Sequence, residues 1–212
     1  MPNPVLAATA TKSLPIASFG CLVLLANLMA SSAHAQSTKA PQAYSVTEVT
    51  SMFGPSMTLK VDRDGDRAVV DETVPAHSAG STGIHTRSYY NLKNRRSFSV
   101  DLDFATANCS TGTIDDNWFD PYEISATLMG DFANARQVGT ETVNGFATKV
   151  LESGVAGPGY KKVWLDTASG LIVKAQAGAE MIFEVKRVSL AKPPASLFAV
   201  PAACIAAPPP AS

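Results

Sequence analysis

Asp62, Asp64 and Asp66 in "DRDGD" (62–66) show the alternating acidic spacing that opens a calcium loop. The rest of such a loop is missing. Arg67 stands where glycine would make the sharp turn, and Thr73 where a bidentate glutamate would close the site. A solvated hairpin turn is the expectation. His77 and His85 are the two histidines that follow residue 35. Neither has a partner at H-x-x-x-H spacing, and no C-x-x-C occurs, so no metal site is expected. No serine sits in a G-x-S-x-G elbow. Asp101 and Asp103 alternate with Leu102 and Phe104, which would put both carboxylates on one strand face as solubilising charges, and Asp115 and Asp116 read as loop. Cys109 could in principle be a nucleophile, but a disulfide accounts for it equally well. Asn108-Cys109-Ser110 fits a glycosylation sequon. No nucleophile–base pair or metal constellation emerges, so we expect neither an enzyme nor a cofactor.

The location of the chain is easier to read. Lys12 is the only charge before Lys39, Leu14 to Ala30 is almost entirely apolar or small, and Ala33-His34-Ala35 is an A-x-A cleavage signal. We expect a signal peptide over 1–35, cut after Ala35, and an exported, periplasmic mature protein with no stable transmembrane segment. The alternative is a retained anchor, but the stretch contains Asn27 and is marginal against the ~20 residues a bilayer requires. Cys21 lies too early in the apolar run for lipidation. Export leaves Cys109 and Cys204, an even count in an oxidising compartment, and hence one expected disulfide; two buried thiols are the alternative. The bridge would close 95 residues, worth ~4–5 kcal/mol in the chain-entropy treatment. With a net charge of −1 and no basic stripe, nothing draws the chain to nucleic acid.

Strands dominate what remains. "YSVTEVT", "MTLKV", "RAVVDET", "GIHTRSYYN" and "RRSFSVDL" lead the body, with Asp64-Gly65 as the expected turn pair of one hairpin. "QVGTETV" and "FATKVLES" flank Asn144-Gly145, a strong two-residue hairpin signal. "KKVWLDTASGLIVKAQ" (161–176) is a second hairpin, and "MIFEVKRVSL" (181–190) is the last strand. About ten strands at this spacing suggest an antiparallel sheet or open barrel. One helix is expected at "DPYEISATLMGD", with Asp120 at N-cap, Pro121 at N1, Glu123 at N3, a packing face of Ile124, Leu128 and Met129, and Gly130 as its end. A short turn is expected at "PPASLF" (193–198). The expected organisation is a loose leader at 36–43, one domain at 44–204 and a disordered Ala/Pro-rich tail at 205–212.

Strict alternation groups the apolar residues. Phe146 and Val150 share a face, as do Val163 and Leu165, Leu171 and Val173, and the trio Met181, Phe183 and Val185; Ile172 and Lys174 fall together on the opposite side. One helix is little cover for so wide an apolar face. These nine residues either line a ligand cavity or form a filled core.

The order of "VGTETVNGFATKVLES", "KKVWLDTASGLIVKAQ" and "MIFEVKRVSLAKPPASLFAVPAAC" resembles the C-terminal half of the LolA/LppX-like lipoprotein-carrier superfamily, and is most similar to its small exported members of unknown function. The resemblance covers about residues 137–204. It implies a mainly β fold: a curved, unclosed antiparallel half-barrel with one or a few short helices over its concave side. It also implies a carrier for a lipid, a lipoprotein acyl chain or another hydrophobic molecule, or an envelope-sensing module with a protein partner. None of the carriers' specific functional residues maps onto this chain.

Overall fold

The computed structural model describes residues 40–51, 54–76, 82–104, 108–114, 120–154 and 159–205, all within the unit Ala35–Ser212. The expected signal peptide with Cys21, residues 36–39 of the expected leader, His77, Asp115, Asp116 and the tail beyond residue 205 lie outside them.

The strands are β1 (Ala43–Thr50), β2 (Met57–Asp64), β3 (Arg67–Val74), β4 (Ile84–Asn91), β5 (Arg96–Asp101), β6 (Cys109–Thr113), β7 (Arg136–Val143), β8 (Phe146–Glu152), β9 (Lys162–Asp166), β10 (Ile172–Ala177) and β11 (Glu180–Ser189). Helix α1 (Pro121–Asp131) separates β6 from β7, and a 3-10 turn (Ala195–Phe198) and α2 (Ala202–Ile205) follow β11. All pairings are antiparallel, in the order β6-β5-β4-β3-β2-β1-β11-β10-β9-β8-β7. The first and last strands meet through β1 and β11, while β6 and β7 remain edges, so the sheet curves without closing. The fold is a mainly β half-barrel with short helices.

Turn chemistry explains much of the register. Asn144 and Gly145 both take positive φ, 49° and 89°, which the two-residue turn between β7 and β8 requires. The β2–β3 loop is Gly65-Asp66, one residue later than the expected Asp64-Gly65 pair. Asp64 and Arg67 close the ladder, and Gly65 carries the positive φ of 59° at the first loop position. Strand β6 was not expected. "CSTGT" lacks apolar alternation because it is a largely exposed edge strand, held by its pairing with β5.

Helix α1 starts as read from sequence: Asp120 Oδ1 accepts from the Tyr122 and Glu123 N–H groups at 3.0 and 3.4 Å. It does not end at Gly130. It continues through Asp131 to Phe132, whose side chain is 3% exposed and whose burial holds the last turn in place.

Both sheet faces are covered. Val69 and Val70 are consecutive and therefore face opposite ways. Val70 packs in the cluster that contains Tyr122 of α1. Val69 packs with Tyr89, Val100, Phe198 and Cys204, so the C-terminal segment covers the back of β3–β5. There Arg67 lies over the Phe198 ring at 4.9 Å, and Cys109 of β6 is joined to Cys204 of α2 with Sγ atoms 1.97 Å apart.

Candidate functional site

Several of the described side chains that could have done chemistry have a structural use. Asp62 is 2% exposed, accepts from Ser45 Oγ and pairs with Lys60 at 2.8 Å. Asp64 pairs with Arg67 and Lys192, and hydrogen bonds from Lys192 and then Arg67 hold its carboxyl below the usual range. Asp62 and Asp64 thus belong to a strand of a hairpin and do not curl around an ion. Strand β5 stops at Asp101, so Asp101 and Asp103 do not share a strand face as alternation suggested. Asp101 accepts from the Asp103 N–H at 3.0 Å, and Asp103 from the His85 N–H at 2.8 Å, which ties off the strand end. Ser189-Leu190-Ala191-Lys192, an S-x-x-K spacing, lies at the end of β11. Ser189 Oγ accepts from the Ala191 N–H at 3.3 Å there, and Lys192 turns away to Asp64. Among the described residues, no group of three or more His, Cys, Asp or Glu side chains is placed to hold a metal ion.

Eight of the nine apolar candidates fall into two packed groups. Phe146, Val150, Leu171, Val173 and Val185 join Tyr44, Val46, Tyr122 and Trp164 in one cluster. Val163, Leu165 and Phe183 join Ile172 and Ala175 beneath Leu128 and Phe132 of α1 in another. Met181 belongs to neither. Two bulges interrupt the alternation. Ile172 pairs with Leu165 but Lys174 with Trp164, so an extra residue, Val173, puts Ile172 and Lys174 on opposite faces, against the alternation. Lys174 Nζ then lies 4.5 Å from the centre of the Trp164 ring, whose Nε1 donates to Glu141 at 2.6 Å. Likewise Gln176 pairs with Met181 and Ala175 with Phe183, so Met181 and Phe183 do not share a face. Val163, Val173 and Val185 are 0% exposed and packed on their neighbours, while Phe146, Leu165 and Met181 are half-buried.

Where α1 begins, the apolar interior turns polar. Asp120, 0% exposed, caps the helix and pairs with Arg63 of β2. Burial opposes the Arg63 charge, but Asp120 and then Tyr44 outweigh it and raise its pKa. Tyr44 and Tyr122 stack obliquely, centroids 4.9 Å apart, and neither hydroxyl has a hydrogen-bond partner among the described residues. Burial, followed by the Asp120 charge, raises both phenols. Glu48, 3% exposed, lies opposite Leu59 on β2 and Val185 on β11. Burial and then Asp120 push its carboxyl up to about 7. Sequence reading missed this group. An isolated glutamate in "YSVTEVT" looks like a solvent-facing strand position, yet its i, i+2, i+4 relation to Tyr44 and Val46 was visible.

A shallow depression of 410 Å³ lies at the end of β3 and β4, lined by Thr73, Val74, Pro75, Thr82, Gly83, Ile84, His85 and Asp103. Ile84, Leu102 and Phe104 stand exposed in this part of the sheet. No helix of the described residues is long and apolar enough to cross a membrane.

No protein-family model matches the chain, and no curated protein matches it. Among solved structures it is similar to a chain of the complex structure of Pseudomonas aeruginosa MucA/MucB, at 15% identity and a TM-score of 0.44, covering 76% of this chain and 56% of that one. It is also similar to a structure of MucB in complex with MucA(peri), at 16% identity, 76% and 54% coverage and a TM-score of 0.38. PNGF-II matches at 13% identity, 74% and 30% coverage and a TM-score of 0.35. The chain spans little more than half the length of the first two and under a third of the last. Likeness at this level carries no argument about activity or partner.

Proposed function

We propose that this chain is an exported, non-catalytic binding module of the cell envelope that acts through its outer surface on a protein partner. One observation supports this reading: most of the side chains expected to line a lipid cavity pack into apolar clusters with their own neighbours. Val163, Val173 and Val185 are fully buried against their own neighbours, and Leu128 and Phe132 fill the space beneath α1. The apolar leader before Ala35 and the Cys109–Cys204 bridge support export. The structural use of Asp62, Asp101, Asp103 and Cys109 supports a non-catalytic role.

The carrier reading, for a lipid, an acyl chain or another hydrophobic ligand, is retained for a different reason. The cluster of Val163, Leu165, Ile172 and Phe183 is roofed by α1. A ligand that displaced the helix would find an apolar surface worth ~25 cal/mol per Å² buried. Native mass spectrometry of protein purified from its own host separates the two. The expected species is the mature chain from Gln36 without adduct. A stoichiometric acyl-chain adduct would overturn the surface-binding reading in favour of the carrier.

A further inference from the structure

We propose that residues 206–212, "AAPPPAS", fold back as a strap across the depression at the ends of β3 and β4, with the prolines at 208–210 seated against Val74, Pro75 and Ile84. The inference goes beyond the binding reading and does not depend on it.

The course of the described chain leads there. After β11, Lys192 pairs with Asp64 beside the start of β3. Phe198 lies under Arg67, the first residue of β3, and packs on Val69. Cys204 is then bonded to Cys109, which pairs with Val100; Val100 lies opposite Arg87, and Arg87 opposite Asp71. The segment thus climbs the back of the sheet from the level of Arg67 to that of Asp71. The depression begins just beyond, where Thr73 pairs with His85 and Val74 with Ile84. Thr73 and His85 stand at even spacing from Val69 and Tyr89, so they face the side that the C-terminal segment already covers.

Length and chemistry fit as well. From Cys109 the depression lies two strands across, about 10 Å, and three residues along β4, about 10 Å. Ile205 is exposed, and the seven residues that follow it span about 22 Å in the polyproline conformation. They carry no charged side chain, and the carboxylate at the rim, Asp103, already accepts from the His85 N–H at 2.8 Å. Val74, Pro75 and Ile84 supply apolar lining. Gly83 brings backbone close on one side: a Cβ there would meet the Val74 carbonyl oxygen at 2.8 Å. Consecutive prolines are held extended by their own rings, so seating them costs little ordering entropy. The disulfide fixes the root of the segment near the site, and a tether this short gives an effective concentration on the order of millimolar. A strap here covers apolar surface that would otherwise face water.

The test is amide NMR of the disulfide-bonded chain from Gln36, whole and ended at Ile205. Ending the chain at Ile205 is expected to shift the amides of Thr73, Val74, Gly83, Ile84 and Asp103. The free peptide Ala-Ala-Pro-Pro-Pro-Ala-Ser, added at about millimolar concentration, is expected to return them toward their full-chain positions. In the full chain, Ile84→Glu is expected to give the amides of Ala206, Ala207 and Ala211 the fast motion of a free end, while β1 and β11 stay rigid. Truncation shifts confined to 202–205 would overturn the proposal, as would Ala206, Ala207 and Ala211 moving as fast in wild type as in Ile84→Glu. Depression amides that shift when the full chain is diluted would also overturn it, because the occupant would then be a second copy. Thermal melts confirm that both variants are folded.

Discussion

Replacing Glu48 by glutamine is expected to stabilise the protein, and to do so only as pH rises. The carboxyl lies between Leu59 and Val185, without a counter-ion, and is raised from its ordinary 4.5 to about 7. A folded-state value above the unfolded one means that the folded state holds the proton more tightly. The contribution of the group to stability is therefore fully present below the unfolded value and is lost as pH climbs through the interval to about 7. The difference between the two values corresponds to roughly 3 kcal/mol at about 1.36 kcal/mol per pKa unit. The assay is urea unfolding of wild type and Glu48→Gln across the range from about pH 4 to about pH 8, plotted as the difference between them, which cancels every other titrating group. The difference should be small at the acid end, grow in favour of glutamine through the middle and level off above neutrality. A difference that is flat with pH would refute the reasoning, because it would mean that Glu48 ionises in the folded state as easily as in the unfolded one.

Four further outcomes follow from the geometry. Replacing both Cys109 and Cys204 by alanine should cost ~2–5 kcal/mol in urea unfolding, and a non-reduced digest of the exported protein should yield a peptide joining the two. Asp120→Ala removes the helix cap and strands the Arg63 charge, so a loss of ~3–5 kcal/mol is expected by thermal melt; Asp120→Asn, which can still cap, should lose less. Phe132→Ala should cost ~3–5 kcal/mol, because a side chain only 3% exposed leaves a cavity under α1. Gly145→Ala, at a φ of 89°, should cost ~1–2 kcal/mol through backbone strain, since open space surrounds the position.

The local rules were legible where the physics is local. Asp120-Pro121-x-Glu123 states a helix start because the first N–H groups of any helix need an acceptor, and the structure places Asp120 on those groups. Asn144-Gly145 states its turn because few residue pairs accept two positive φ values in a row. Alternation failed where bulges intervene. The extra residue at Val173 sets Ile172 and Lys174 on opposite faces, and the one between Met181 and Phe183 separates that pair. A bulge is a property of the paired strand, whose partner is remote in sequence, so no window of either strand reveals it.

By itself, then, the sequence determined most of the strands, the capped helix, the Asn144-Gly145 turn and an even pair of cysteines downstream of an apolar leader, all features whose causes lie within a few residues. Only the tertiary structure decided that the apolar faces pack on one another, and that "CSTGT" is a strand at all. It alone decided that Glu48 is buried and feels the charge of Asp120, 72 positions along the chain. The reason is physical. Burial and the electrostatics that follow from it depend on which distant segments exclude water from a group, and a curved sheet joined through β1 and β11 sets those neighbours only once it is assembled.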